Sequence, residues 1–145
     1  MQSRHVLELP NDLGAIERSV QFLLDRCRDA GFEESKLRLN LRVGVAEALA
    51  NAMMYGNRRD PAKRVRLEAW CGPDEVRIRV TDEGPGFNPG ALPDPTLPDN
   101  RTMTCGRGVF LIRQLMDRVE FNETGNSVEM FLFRGQDRGQ AKLAT

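Results

Sequence analysis

The sequence is poor in the residues from which metal and triad chemistry is built. It has one histidine, His5, one tryptophan and one tyrosine in 145 residues. With a single imidazole close to the N-terminus, a zinc site or a histidine-based triad has almost nothing to draw on. The three cysteines, Cys27, Cys71 and Cys105, are odd in number, far apart in sequence and lack a CxxC spacing. Free thiols in a reducing cytoplasm are the plain expectation. Net charge is also missing: 21 basic residues balance 21 acidic ones. A general nucleic-acid binder normally shows a basic excess, so no direct nucleic-acid partner is expected, although a local basic patch is compatible with the balance. No apolar run reaches transmembrane length. Met1 to Val6 lead into no long apolar stretch, so neither a secretory signal nor a membrane partner is expected. There is no internal repeat and no GxxxxGK[ST] loop.

What remains is a chain with 40% hydrophobic residues, enough for one domain with one core. Val6 to Leu9 read as a first strand, and Asn11 or Asp12 as a helix cap. Ile16, Val20, Leu23, Leu24 and Cys27 recur at helical spacing, and Gly31 ends that helix. A second helix is expected from a cap at Ser35 to about Tyr55, stopped by Gly56 and Asn57. Val65, Leu67, Ala69 and Cys71, then Val76, Ile78 and Val80, alternate with polar residues on either side of a Gly72-Pro73-Asp74 turn, which predicts a hairpin. Residues 83–104 hold Gly84, Gly86, Gly90 and five prolines. A connection this long is usually functional, often a lid. A third helix is expected over about Val109 to Asp117, and a last hairpin over 119–121 and 128–133. Strands in hairpins and clustered helices imply an α/β (α+β) two-layer sandwich. Its sheet is expected to be mixed, largely antiparallel and covered on one face by helices.

Three constellations carry chemistry. The second helix is apolar nearly all round except for Glu47 and Asn51, which at i and i+4 share a face. Two polar groups in a buried helix are costly unless satisfied. A desolvated carboxylate suits a general base, and an amide oxygen is a hard donor suited to magnesium. Taken alone, the pair is better explained by mutual bonding or a wet edge. Next, Asp82 shares strand parity with Val76, Ile78 and Val80, so it should face the helices, where it needs a donor such as an adenine amino group. Gly84 and Gly86 allow backbone to approach a ligand, although Asp-x-Gly is also an ordinary turn. Finally, Gly106-Arg107-Gly108 at the start of a helix aims backbone N–H groups at an anion. A hinge before a packed helix reads equally well.

In order, Glu-x-x-x-Asn on a buried helix, Asp-x-Gly-x-Gly after a strand, a Pro-rich lid and Gly-x-Gly opening a helix resemble the three nucleotide boxes of the Bergerat-fold (GHKL) ATPases. The likeness covers about residues 6 to 133. Within that superfamily the chain is similar to the anti-sigma-factor serine/threonine kinases, both in size and in the wording of the boxes around Glu47 and Asp82. Residues 1 to 40 offer no room for the phospho-acceptor helices of a histidine kinase. The resemblance implies a histidine-kinase-like ATPase domain over 1–134 and a polar tail over 135–145. It implies ATP and Mg2+ as cofactors, with Glu47 as catalytic base and Asn51 as metal ligand. Asp82 would accept from adenine, Gly84 and Gly86 would line the base pocket, and Gly106, Arg107 and Gly108 would lie at the phosphates.

The family often has Gly-Thr in the last hairpin where this chain has Gly125-Asn126; parity turns Asn126 inward. Arg101 and Arg107 are candidates for the γ-phosphate on charge alone. Arg18 on the first helix is a candidate for partner docking, and Arg58, Arg59, Lys63, Arg64 and Arg66 form a basic cluster near the site. The implied activity is phosphorylation of an anti-sigma-antagonist-like protein, with a sigma factor as a further partner and a homodimer as the assembly. The alternatives are a nucleotide-gated module that sequesters its partner without significant kinase activity, and a histidine-kinase catalytic domain acting in trans.

Overall fold

Alternation of period two builds the sheet, and its apolar parity decides which face is covered. In this computed structural model, which describes residues 2–85 and 104–135, five strands form one sheet in the order β1-β2-β3-β5-β4. They are β1 Ser3–Pro10, β2 Arg64–Cys71, β3 Glu75–Thr81, β4 Arg118–Phe121 and β5 Ser127–Phe133. Every pairing is antiparallel, so the expected sandwich is present and its sheet contains no parallel pair among the described residues. The inward residues Val65, Leu67, Ala69, Cys71, Val76, Ile78, Val80, Val128, Met130 and Leu132 are all buried.

Helices α1 (Ile16–Asp29), α2 (Glu34–Lys36), α3 (Arg42–Asn51) and α4 (Thr104–Leu115) complete the fold. Of the two capping candidates Asp12 is the one that acts, accepting from the Gly14 amide in the short turn ahead of α1. Val20, Leu23, Leu24 and Cys27 form the buried stripe of α1. The second predicted helix is not uniform. Ser35 caps nothing; its hydroxyl donates to Glu33. Wide five-residue turns, Leu37–Leu41 and Ala52–Gly56, flank α3. Such widened turns are common at functional sites.

Polar contacts tie the helices to one another and to the sheet. Arg42 of α3 donates to Glu17 at 2.6 Å and Gln21 at 2.9 Å on α1. Asn40 donates to the carbonyl of Leu115 at 2.6 Å, which satisfies one of the orphan acceptors at the end of α4. The carboxylate of Asp117 accepts from the Phe133 amide at 2.8 Å and from Lys36 at 3.4 Å.

Among the described residues, no helix covers the opposite sheet face. There Arg77, Arg79 and Arg4 lie over the Trp70 ring at 4.4, 5.3 and 5.5 Å. The carboxylate of Glu68 pairs with Arg4, Arg66 and Arg79. Arg66, read from sequence as part of a basic cluster near the site, is held on this face instead by Glu8 and Glu68.

Close packing between α3 and the end of α4 depends on Gly44, where a methyl group would overlap the terminal carbon of Met116. Methionine is adaptable, and alanine gains about 1 kcal/mol of helix propensity over glycine. Gly44→Ala is therefore expected to destabilise by no more than about 1 kcal/mol, against about 1–3 for unrelieved overpacking. Chemical denaturation checks this.

Candidate functional site

Three segments distant in sequence enclose a hollow between α3, α4 and the end of the sheet. It encloses about 660 Å³ of empty space, counting the solvent at its open mouth. Its walls are apolar residues of α3, the wide turn after it, β3, β5 and α4, among them Ala48, Ala52, Val80, Val109 and Ile112. Asn51, Asp82 and Asn126 bring polar groups to the same space. An apolar cleft with a few convergent polar groups suits an aromatic heterocycle carrying hydrogen-bonding edges.

Asn51 is half-buried as a residue, but its amide nitrogen is buried and has no hydrogen-bond partner among the described residues. A methyl group on Gly108 would stand 2.7 Å from that nitrogen and 2.9 Å from the amide oxygen. Glycine at 108 is therefore what lets α4 approach the Asn51 side chain. Glu47, one turn before Asn51, is half-buried rather than enclosed in the core, and it does not line the hollow. The sequence makes α3 apolar all round, yet the helix buries only part of its circumference: Gly44, Val45, Ala48 and Leu49.

Asp82 is 9% exposed, as its strand parity predicts. One carboxylate oxygen accepts from the Gly84 amide at 2.8 Å. The other lies where a methyl group on Gly56 would stand, and a methyl on Gly84 would overlap the Gly56 carbonyl. Gly56, Asp82 and Gly84 are packed too closely for any side chain at either glycine. Burial pushes the Asp82 carboxyl above the usual carboxylate range; the Gly84 hydrogen bond and the Lys63 charge act against this. Lys63 is thus the member of the basic cluster whose charge is felt at the site.

Asn126 holds Asp82 from the far side. Its carbonyl accepts from the Asp82 amide at 2.9 Å, and its side chain donates to the Asp82 carbonyl at 3.3 Å. The side-chain oxygen accepts from Thr124 and Asn122. The turn that permits this contains Gly125 at φ 78°. Helix α4 begins at Thr104, earlier than the sequence suggests, so Gly106 and Arg107 fall in its opening turn. Amides of an opening turn lack intrahelical acceptors. Gly108 stands one position further in, where the helical ladder engages the amide, and its contribution is the close approach to Asn51. Gly86 and Arg101, and most of the proposed lid, lie outside the described residues. Arg18, Arg58 and Arg59 are exposed.

Asn57, which the sequence marks only as a helix stop, belongs to the site as well. It is fully buried. Its side chain accepts from the Glu83 amide at 2.8 Å and donates to the Arg64 carbonyl at 3.0 Å. This one amide ties the exit of the second helix to the loop that carries Asp82. A polar residue directly after an apolar helix was the available signal.

The family model described as a histidine kinase-like ATPase domain matches residues 9–132. This chain belongs to that family. Among curated relatives of this ATPase-type domain, an anti-sigma F factor from Oceanobacillus iheyensis is 30% identical over 95 residues. The match spans 62% of this chain and 65% of that relative, just under two thirds of its length. The solved structure of the RsbU and RsbW domains of a Mycobacterium tuberculosis protein superposes with a TM-score of 0.57 at 15% identity. It covers 90% of this chain and 31% of the other, and at that identity the likeness is one of fold. No helix among the described residues is long and apolar enough to cross a membrane.

The raised Asp82 carboxyl has a consequence for stability. Its folded-state value lies above the unfolded one, so the native chain keeps a proton over a pH window where the unfolded chain has lost it. This group's contribution to stability is therefore lost as pH rises through that window. Asp82→Asn keeps the shape and removes the buried charge. It is expected to raise Tm by a few degrees at neutral pH. The gap to wild type should close as pH falls toward the unfolded carboxyl value of about 3.9. Thermal scans of both proteins across that range test it.

Proposed function

We propose that this chain binds Mg-ATP in the hollow and is a serine/threonine kinase and anti-sigma-type regulator. Its substrate would be an anti-sigma-antagonist-like protein in a partner-switching circuit, with a sigma factor as a second partner. The observation that carries the reading is the buried amide nitrogen of Asn51, unpartnered among the described residues, at the same hollow as the desolvated Asp82. Buried polar groups without partners are rare and call for an explanation. The oxygen and nitrogen of an amide exchange places by a half-turn of the side chain, so this position suits an oxygen donor to a hard cation.

The remaining roles follow from position. Asp82 accepts from the amino edge of adenine, held in aim by Gly84 and Asn126. The apolar walls exclude water from the ring. The free amides of the opening turn of α4, Gly106 among them, face the phosphate end. Glu47, outside the hollow and on the Asn51 face of α3, accepts the proton of a hydroxyl presented by the partner. Bound Mg-ATP supplies the transferable phosphoryl group and the charge that neutralises it. The similarity to an anti-sigma F factor supports the choice of protein substrate.

Incubation with Mg-ATP and candidate antagonist proteins should yield phosphoserine or phosphothreonine on the partner by mass spectrometry. A wild-type chain that binds both ATP and partner but transfers nothing would leave a sequestering module. Glu47→Ala should cut transfer by about 10²–10⁴-fold, the usual range for a lost general base, with ATP affinity little changed. Asn51→Ala should abolish the magnesium-dependent part of ATP affinity in calorimetry. An unchanged magnesium dependence would take Asn51 out of its role.

A further inference from the structure

Two of the three cysteines, 44 positions apart in sequence, meet in the core. Cys27 in α1 and Cys71 at the end of β2 are free thiols, both 0% exposed, and their Sγ atoms are 3.0 Å apart. Closing from there to a disulfide requires an approach of about 1 Å, since a sulfur–sulfur bond is about 2.05 Å long. Nothing in the nucleotide site uses either residue.

We propose that Cys27 and Cys71 form a peroxide-responsive pair that closes to an intramolecular disulfide between α1 and β2. The chemistry balances with hydrogen peroxide as the only oxidant. The Cys71 thiolate attacks one peroxide oxygen, the O–O bond breaks, and hydroxide leaves, giving a sulfenic acid on Cys71. The Cys27 sulfur then attacks the Cys71 sulfur. The S–O bond breaks, and the departing hydroxide and the Cys27 proton account for the second water. Two thiols and one peroxide become one disulfide and two waters.

The pair is polarised for these roles. The two sulfurs share a hydrogen bond that either can donate, and the positive charge of Arg26 favours the thiolate on Cys71. The sulfur that attacks first is the one that more readily holds negative charge. Access is limited by burial but favoured by position. Cys71 is the last residue of its strand, beside the Gly72 turn, and Cys27 is in the last turn of α1. Local opening at these chain ends is the route by which a small oxidant would reach the sulfurs. A cytoplasmic chain would be expected to carry a bond of this kind as a transient, regulated one.

The disulfide would enclose the chain from α1 to the end of β2, which includes Glu47, Asn51 and Gly56. Oxidation would thus fasten the outer helix to the sheet behind the nucleotide helix.

The test treats the purified full chain with millimolar hydrogen peroxide, quenches, denatures and counts thiols. Loss of two of the three thiols is expected. Non-reducing peptide mapping should show one species linking the Cys27 and Cys71 peptides, reversed by dithiothreitol. Cys105→Ser should lose both of its thiols with the same linkage. Retention of Cys27 and Cys71 as free thiols while Cys105 oxidises would overturn the proposal. So would linkage of Cys105 to another chain as the sole product, or sulfinic acid at Cys71 without any bridge. Cys27→Ala gives a second reading: it should halt at sulfenic acid on Cys71, trapped by dimedone, and absence of the adduct in a folded variant would also refute the mechanism.

Discussion

The close approach of Gly56 to Gly84 around the Asp82 carboxylate governs how the helical layer meets the sheet at the site. Two backbones and a carboxylate occupy a space that neither glycine can share with a methyl group. The fully buried Asn57 side chain fixes this approach by bonding the Glu83 amide and the Arg64 carbonyl. Asn126 closes it from the hairpin on the other side. The result is a carboxylate whose position is set by backbone atoms from three segments, so its aim does not depend on a flexible side chain. That rigidity comes with an unfavourable burial of charge, which the Gly84 amide and the Lys63 charge offset in part.

Much of this was legible in the residues. Alternation in 65–71 and 76–80 gave the central hairpin and its buried face, because one-sided burial imposes period two. Parity alone turned Asp82 inward, and the ordered motifs around Asn51, Asp82 and Gly106 selected the fold. Juxtapositions across long sequence separations carry no such local signal. The placing of β5 between β3 and β4 is one example. The Gly108 contact with Asn51 and the meeting of Cys27 with Cys71 are others. Glu47 shows a different gap: residue type marked α3 as apolar all round, but exposure of one side depends on where the neighbouring elements end.

The sheet face opposite the described helices obeys separate physics. Arginines stack on Trp70 and pair with Glu68 and Glu129, so nearly every charge there has an opposite or aromatic neighbour. Pairing across strands uses the same geometry that aligns the backbone ladder. A surface of this kind keeps an open sheet wet and charged without a net field, which agrees with the balanced composition of the chain.

The wide turn Ala52–Gly56 places Asn57 by an amide bond reaching back five residues, to Ala52 at 2.7 Å. Each residue of an ordinary helix advances the chain by about 100° around the axis. Loss of one residue here would swing Asn57 by that angle, away from Glu83 and Arg64, while leaving the apolar pattern of the helix intact. Length is therefore as strictly constrained in this segment as the burial of Ala52 and Met53.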